Sequence, residues 1–452
     1  MSGIAEILHN LGYKVQGSDQ SANANVERLK GLGIKVMVGQ KEENIISNKI
    51  SVVVRSSAVK DDNPEIKAAR KGRIPVIQRA EMLAELMRLK SSIAVAGTHG
   101  KTTTTSMVTA IFEAEGRCPT VINGGIINAY GTNAHLGSGQ WLIAEADESD
   151  GSFLKLPSTI GVITNIDPEH MEHYGSFDNL KSAFKAFIDN LPFYGFGVLC
   201  NDHPEVAALI PQITDRKIVS YGLDTEADIV AKNIRYKPSG STYDVHIKNR
   251  VQGGERVLRD VILPMPGKHN ISNSLAAVAI AAELGFKDES IVGGFKQFAG
   301  VKRRFTKTGE VNGVTIIDDY GHHPTEIAVT LQTARQVIGN SDGRIIAVAQ
   351  PHRYSRVHDL FDQFSQCFSD ANIVIIADIY EAGESPIAGI DKEHLVKAIK
   401  ANGHPDVQIL PSAEDLPKLI AKLAKSGDMV ICMGAGTISG WANDLPKNLK
   451  AL

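Results

Sequence analysis

Ile93-Ala94-Val95-Ala96-Gly97-Thr98-His99-Gly100-Lys101-Thr102-Thr103 is the stretch that decides the fold of this chain. An apolar run breaks at Gly97 into a glycine-framed loop. A helical pattern follows, with Met107, Val108, Ile111 and Phe112 at helix-face spacing. Strand, glycine loop, helix is the context a phosphate-binding loop requires. Backbone N–H groups along Gly97, Thr98, His99, Gly100 and Thr103 face anionic oxygens, Lys101 adds a point charge, and the Thr102 hydroxyl can ligate Mg²⁺. The full pattern wants a glycine at position 95, where Val95 stands, so the loop is the shortened form G-T-x-G-K-T. The competing reading is a plain strand–turn–helix; the flanking elements favour nucleotide binding.

The rest of the composition narrows the class. At 452 residues the chain has room for roughly two to four domains, each with a buried core. A net charge of -3 and the lack of a dense Lys/Arg patch argue against a general nucleic-acid binder. Cys118, Cys200, Cys367 and Cys432 are far apart, form no CxxC pair, and read as buried thiols in a reducing cytosol. No signal-peptide pattern opens the sequence, and apolar runs such as Ala276–Ala282 are too short to span a bilayer. The expectation is a cytoplasmic α/β protein with no membrane partner.

Outward from the loop, strands and helices alternate in three stretches. Residues 1–89 carry strands at Tyr13–Gly17, Lys35–Val38, Ser51–Val54 and Pro75–Ile77, with helices at 2–11, 23–32, 64–71 and 79–89. Asp19 closes the first of these strands, where a Rossmann-type unit places a ribose-contacting acid; the alternative is a turn residue. Residues 90–300 carry the loop. There Trp141–Ala144 runs into Glu145-Ala146-Asp147-Glu148, and Ile160–Thr164 runs into Asn165-Ile166-Asp167-Pro168-Glu169-His170. Ligands gather at the carboxyl ends of parallel strands, so these clusters and the loop are expected to share one crevice. Residues 228–263 read as a β-rich insert with turns at Pro238-Ser239-Gly240 and Gln252-Gly253-Gly254, and Ser272–Leu284 as a buried helix. Residues 301–452 carry strands at 314–317, 344–349, 373–377 and 429–433, a second open parallel sheet.

Seven motifs together resemble the Mur ligase family: AGTHGKTTT (96–104), EADESDGSF (145–153), NIDPEHMEHY (165–174), PGKHNISN (266–273), RRF (303–305), DDYGHHPTE (318–326) and QPHRYSR (350–356). The resemblance runs the length of the chain, and points to the branch that joins L-alanine to UDP-N-acetylmuramate. It implies three domains: a Rossmann-like UDP-binding domain at 1–89, a P-loop ATPase domain at 90–300 and a Rossmann-like domain at 301–452. It also implies ATP and Mg²⁺, activation of the carboxylate as an acyl phosphate, and attack by the alanine amine. A carboxylate needs such a leaving group before it can form an amide in water, and phosphoryl transfer asks chiefly for positioning and charge neutralisation.

On this resemblance Glu145 ligates metal, Thr102 fits one Mg²⁺ and His170 ligates a second, although Asp147 and Glu148 remain rivals of Glu145 and histidine is unusual for Mg²⁺. Asn270 contacts adenine, or else belongs to the start of the following helix. Arg303 or Arg304 reaches the nucleotide. Asp319 and His323 match positions that contact nucleotide and substrate, and Arg353 and Arg356 match anion-binding arginines. Lys185 stands near the spacing of a carbamylated lysine found in many relatives, but reads better as a solvent-exposed helical residue. A monomer or weak homodimer is expected.

One departure stands out. The family opens with a strand and the loop G-x-G-G-x-G-M-S-G, of which Met1-Ser2-Gly3 matches only the end. The sequence therefore predicts a gap between the Tyr13–Gly17 and Ser51–Val54 strands, and weak UDP-sugar binding. The alternatives are a murein tripeptide ligase and a non-catalytic nucleotide or UDP-sugar binder; a generic P-loop switch protein would leave the motifs after residue 300 unexplained.

Overall fold

The computed structural model describes residues 1–46, 49–56, 58–248, 253–339 and 341–452. Gln252, in the second expected turn of the insert, lies outside them. The chain packs as two compact units. One comprises Met1–Asn233, Tyr243–Ile262 and Ser272–Ala299, the other Ile234–Thr242, Leu263–Ile271 and Gly300–Leu452. Most of the stretches 1–89 and 90–300 fall in the first unit, while residues 234–242 and 263–271 fall in the second.

The first unit begins with two small parallel sheets. One pairs β1 (Gln16–Asp19) with β2 (Lys35–Val38), the other β3 (Val53–Arg55) with β4 (Val76–Gln78). Among the described residues no strand joins β1 to β3, so the expected gap is present. Asp19 accepts a hydrogen bond from the Ser21 N–H, the turn role.

Ten strands follow in one sheet: β5 (Ser91–Ala96), β6 (Thr120–Ile127), β7 (Thr132–His135), β8 (Trp141–Glu145), β9 (Ile160–Ile163), β10 (Phe196–Cys200), β11 (Lys217–Gly222), β12 (Ile229–Lys237), β13 (Gly240–Lys248) and β14 (Glu255–Leu263). Their order is β14-β13-β12-β11-β10-β9-β5-β8-β6-β7. Thus β5 is central, between β8 and β9, and parallel to both. Its Ser92–Ala96 are fully buried, because helices cover both faces of a parallel sheet. The insert is β-rich as expected and extends this sheet at one edge. The edge strand β7 is antiparallel to β6.

The second unit holds β15 (Thr306–Val311), β16 (Val314–Asp319), β17 (Ile345–Ala349), β18 (Ile373–Ile376), β19 (Val407–Ile409) and β20 (Met429–Met433), in the order β15-β16-β20-β17-β18-β19. All neighbours are parallel except β15 with β16. Alternate residues feed two cores. Ile317, Ala347 and Ile431 pack with Leu331 on one face, and Ile316, Ile346 and Val430 pack with Ile438 and Leu445 on the other. Both β15 and β19 escape the sequence reading. The first is polar (TKTGEV) because only one face of an edge strand is buried.

Two further expectations need correction. The helix expected from Ser272 begins at Lys268, since the Gly267 carbonyl already accepts from the Asn270 N–H at 3.0 Å. Cys200, Cys367 and Cys432 are buried thiols, but Cys118 is exposed. No helix among the described residues is long and apolar enough to cross a membrane.

Candidate functional site

The loop between β5 and helix Lys101–Ala114 is shaped by what packs against it. Gly97 has φ 129°, and a Cβ there would lie 2.0 Å from Thr164 Oγ1. Gly100 has φ 83°, and a Cβ would lie 2.7 Å from Asn273 Oδ1. Both positions need glycine for conformation and for space. The end of β9 grips the loop from the side. The His99 N–H donates to Asn165 Oδ1 at 2.7 Å, Asn165 Nδ2 returns a bond to the His99 carbonyl, and the Asp167 N–H donates to Thr98 Oγ1. Asp167 also faces His99 and His203 at 3.3 and 3.5 Å. Burial would raise its carboxyl, but hydrogen bonds from His203 and His99 outweigh it and hold the group well below the ordinary carboxylate range.

Lys101 Nζ donates to the carbonyls of Gly97 and Thr98 at 2.6 and 3.1 Å, and to both oxygens of Glu148 at 2.8 and 2.9 Å. Burial pulls its ammonium down, but the carboxylates of Glu148, Asp147 and Glu145 outweigh that and raise it, so it stays charged. Glu148 is 2% exposed, and its own carbonyl accepts from Tyr174 Oη at 2.5 Å.

Two strand ends supply candidates for a divalent ion. Glu145, closing β8, has Oε1 buried with no hydrogen-bond partner among the described residues, and its Oε2 fills the space where a side chain on Gly124 would be. An orphaned buried carboxylate oxygen next to a phosphate loop is suited to a cation. After β9, Glu169 and His170 together with Glu148 offer ligand atoms within 4.8 Å of one another. Asp147 is half exposed, 3.6 Å from Arg79. Lys185 pairs with Asp189 at 2.5 Å, a surface helical contact.

The remaining candidates lie in the second unit. Asn270 is buried in the first turn of its helix, donating to the Pro266 carbonyl at 2.7 Å. Asp319 commits both oxygens to the protein: it accepts from the Phe305 and Gly321 N–H groups and from Thr330 Oγ1. The adjacent Asp318 points to the other face of the sheet. Its Oδ2 accepts from Ser439, while its buried Oδ1 has no partner among the described residues. Arg303 donates to the Gly434 carbonyl and stacks over Tyr320 at 4.6 Å, and Arg304 lies 3.8 Å from Glu326. His323 caps helix Pro324–Ile338, accepting from the Thr325 N–H. Arg356 approaches His352 Nδ1 at 3.5 Å. Burial, then His322 and the two arginines, push His352 down to about 4.

His170, Arg303 and Arg353 have φ of 59°, 62° and 68°. Side chains other than glycine rarely adopt such values, and they concentrate where function demands a particular aim. Sequence reasoning missed Asn165, Asp167, Asn273 and Asp318. Asn165 and Asp167 stood in a quoted motif, but nothing in it said that they brace the phosphate loop.

A glycine loop on a central parallel strand, with a charged lysine and strand-end carboxylates, defines a nucleotide-using enzyme of the α/β class. Comparison with known proteins narrows this. Family models match in succession at residues 1–91 (Mur ligase family, catalytic domain), 95–281 (Mur ligase middle domain) and 303–436 (Mur ligase, glutamate ligase domain). The chain belongs to the Mur ligase family, with its three-domain architecture.

Over all 452 residues it is 57% identical to the UDP-N-acetylmuramate–L-alanine ligase of Bradyrhizobium sp. (strain ORS 278), covering 96% of that protein. It is 58% identical to the protein of the same name from Rhodospirillum rubrum, covering 93%. The crystal structure of a UDP-N-acetylmuramate-alanine ligase from Thermotoga maritima superposes with a TM-score of 0.82 at 27% identity, covering 100% of this chain and 96% of that one.

Proposed function

We infer that this chain is an ATP-dependent ligase that joins L-alanine to UDP-N-acetylmuramate in peptidoglycan precursor synthesis, in the cytoplasm. The muramate carboxylate oxygen attacks the γ-phosphorus, the bond to the bridging oxygen breaks and ADP leaves. The neutral alanine amine then attacks the acyl carbon, the bond from carbon to the phosphate oxygen breaks, and the nitrogen gives up one proton to solvent as phosphate leaves and the amide forms. One arrangement carries the reading: the loop 97–103 on β5, gripped by the end of β9, with a charged Lys101 at its centre.

In this reading Gly97, Thr98, His99, Gly100, Lys101, Thr102 and Thr103 bind the phosphates. Asn270 serves the adenine, Arg303 serves the nucleotide with Asp319 bracing the backbone beside it, and His323, Arg353 and Arg356 serve the reacting substrates. The stretches 1–89, 90–300 and 301–452 are the UDP-sugar, ATP and C-terminal domains. Magnesium held by Thr102 and Glu145, and a second ion held by His170, would supply charge neutralisation at the phosphates. The chain itself supplies positioning: it fixes the loop, aims Lys101 and keeps the carboxylates of β8 within reach.

The test is phosphate release from ATP with Mg²⁺, omitting UDP-N-acetylmuramate or L-alanine in turn. Release that needs both supports the reading, and release that needs neither sinks it. Glu145→Gln is expected to raise the Mg²⁺ concentration giving half-maximal rate. If Asp147→Asn shifts the Mg²⁺ titration more, the ligand role moves away from Glu145.

A further inference from the structure

Lys101 has no donor to spare. An ammonium has three N–H bonds, and four acceptors already lie within 3.1 Å of Nζ: two loop carbonyls and both oxygens of Glu148. The side chain that should clamp a phosphate is thus clamped by a carboxylate, itself a planar anion of similar reach. Glu148 cannot drift into solvent to free it. It is 2% exposed, and its backbone carbonyl is held by Tyr174 Oη and the Gly151 N–H.

We propose that Glu148 is a positioning residue that occupies Lys101 in the empty loop and releases it only when nucleotide and a divalent cation arrive together. The proposal rests on the nucleotide-site reading above. Its physics is a partner exchange. When Lys101 turns to a phosphate, Glu148 is left as a buried carboxylate without a counter-charge, which is strongly unfavourable. A cation held beside Glu169 and His170, whose ligand atoms lie within 4.8 Å of those of Glu148, restores the balance. Nucleotide without metal must break the pair and strand Glu148; nucleotide with metal need not. Glu148 therefore couples the two ligands, so that each favours the other by the same factor.

Calorimetric titration with ADP, with and without Mg²⁺, tests this without relying on turnover. Parent protein is expected to gain about tenfold or more in ADP affinity from Mg²⁺, within the usual range of coupling between sites. Glu148→Gln should bind metal-free ADP about tenfold more tightly than parent and lose most of the gain from Mg²⁺. Asp147→Asn removes an equal charge nearby without a contact to Lys101, and serves as the electrostatic reference. Glu148→Asp keeps the charge but draws the carboxylate back from Nζ; it should shift in the same direction as Glu148→Gln, and stands in for it if that variant fails to fold. If Glu148→Gln, or Glu148→Asp in its place, binds metal-free ADP no more tightly than Asp147→Asn, the proposal is overturned. If Lys101→Ala binds ADP like parent, the nucleotide-site reading falls instead.

Discussion

The strands before Leu89 and those after it are built to different standards. In β1, β2, β3 and β4 no residue is fully buried, and the core beneath β3 and β4 is small, formed by Ile45, Ala68 and Ala69 with a few half-buried neighbours. In β5, β9 and β10 nearly every residue is buried. Yet two helices of the first stretch belong to the larger core. Ile4 and Ile7 of helix Ser2–Asn10, and Leu83, Leu86 and Met87 of helix Arg79–Arg88, pack with residues of β5, β8 and β9. The N-terminal stretch is anchored by its helices, while its sheets are, among the described residues, ribbons of two strands each, a marginal arrangement for strands.

That contrast can be broken at several points. The largest effect is expected at the loop, where Lys101→Ala should lower turnover by about 10²–10³. It should also lower the melting temperature, because Glu148 is left buried and unpaired. Lys101→Ala with Glu148→Gln should recover much of the stability and none of the activity. Full activity in Lys101→Ala would remove the loop from the mechanism.

Next comes the anchoring helix. Leu83→Ala should cost about 2–5 kcal/mol in denaturant unfolding, as for a buried leucine in a dense core. Val53→Ala, half-buried in a ribbon, should cost markedly less. Equal losses would mean the two regions are not different in kind.

The second unit offers a separate control. Asp428 accepts from the Arg344 N–H, the Arg344 guanidinium and the Lys425 N–H. Burial raises its carboxyl, but these bonds outweigh that and depress it. A depressed carboxyl contributes stability that is full above its unfolded value, about 3.9, and is lost as pH falls through the folded value. Asp428→Asn should therefore cost about 1.5–3 kcal/mol at neutral pH, with the difference from parent shrinking below about pH 4. A difference that does not shrink at all as pH falls below the unfolded value would contradict the assignment.

The smallest expected effect concerns ligands. Because no strand joins the ribbons among the described residues, UDP-N-acetylmuramate should bind at least about tenfold more weakly than Mg-ADP by calorimetry, a gap of about 1.4 kcal/mol. Equal affinities would show that the two-stranded ribbons do not matter for the sugar nucleotide.

Much of this was legible in residue order. The strand–loop–helix at 91–114, the alternation that builds parallel sheets, and the glycines at 97 and 100 follow from local rules of burial, period and backbone conformation. The polar clusters after β8, β9 and β16 could be placed at strand ends for the same reason. Partnerships across the chain could not. Lys101 meets Glu148 47 residues away, and Gly100 packs against Asn273, because parallel strands align distant segments at one sheet edge. Nor could the sequence separate Asp318 from Asp319. Side chains alternate across a strand, so Asp319 falls on the face of Thr330 and is consumed by structure, whereas Asp318 falls on the face of Ser439 with an oxygen to spare. Local chemistry determined which elements form and where ligands gather. Only the tertiary structure decided which charge faces which, because that depends on strand order and on the face each strand turns outward.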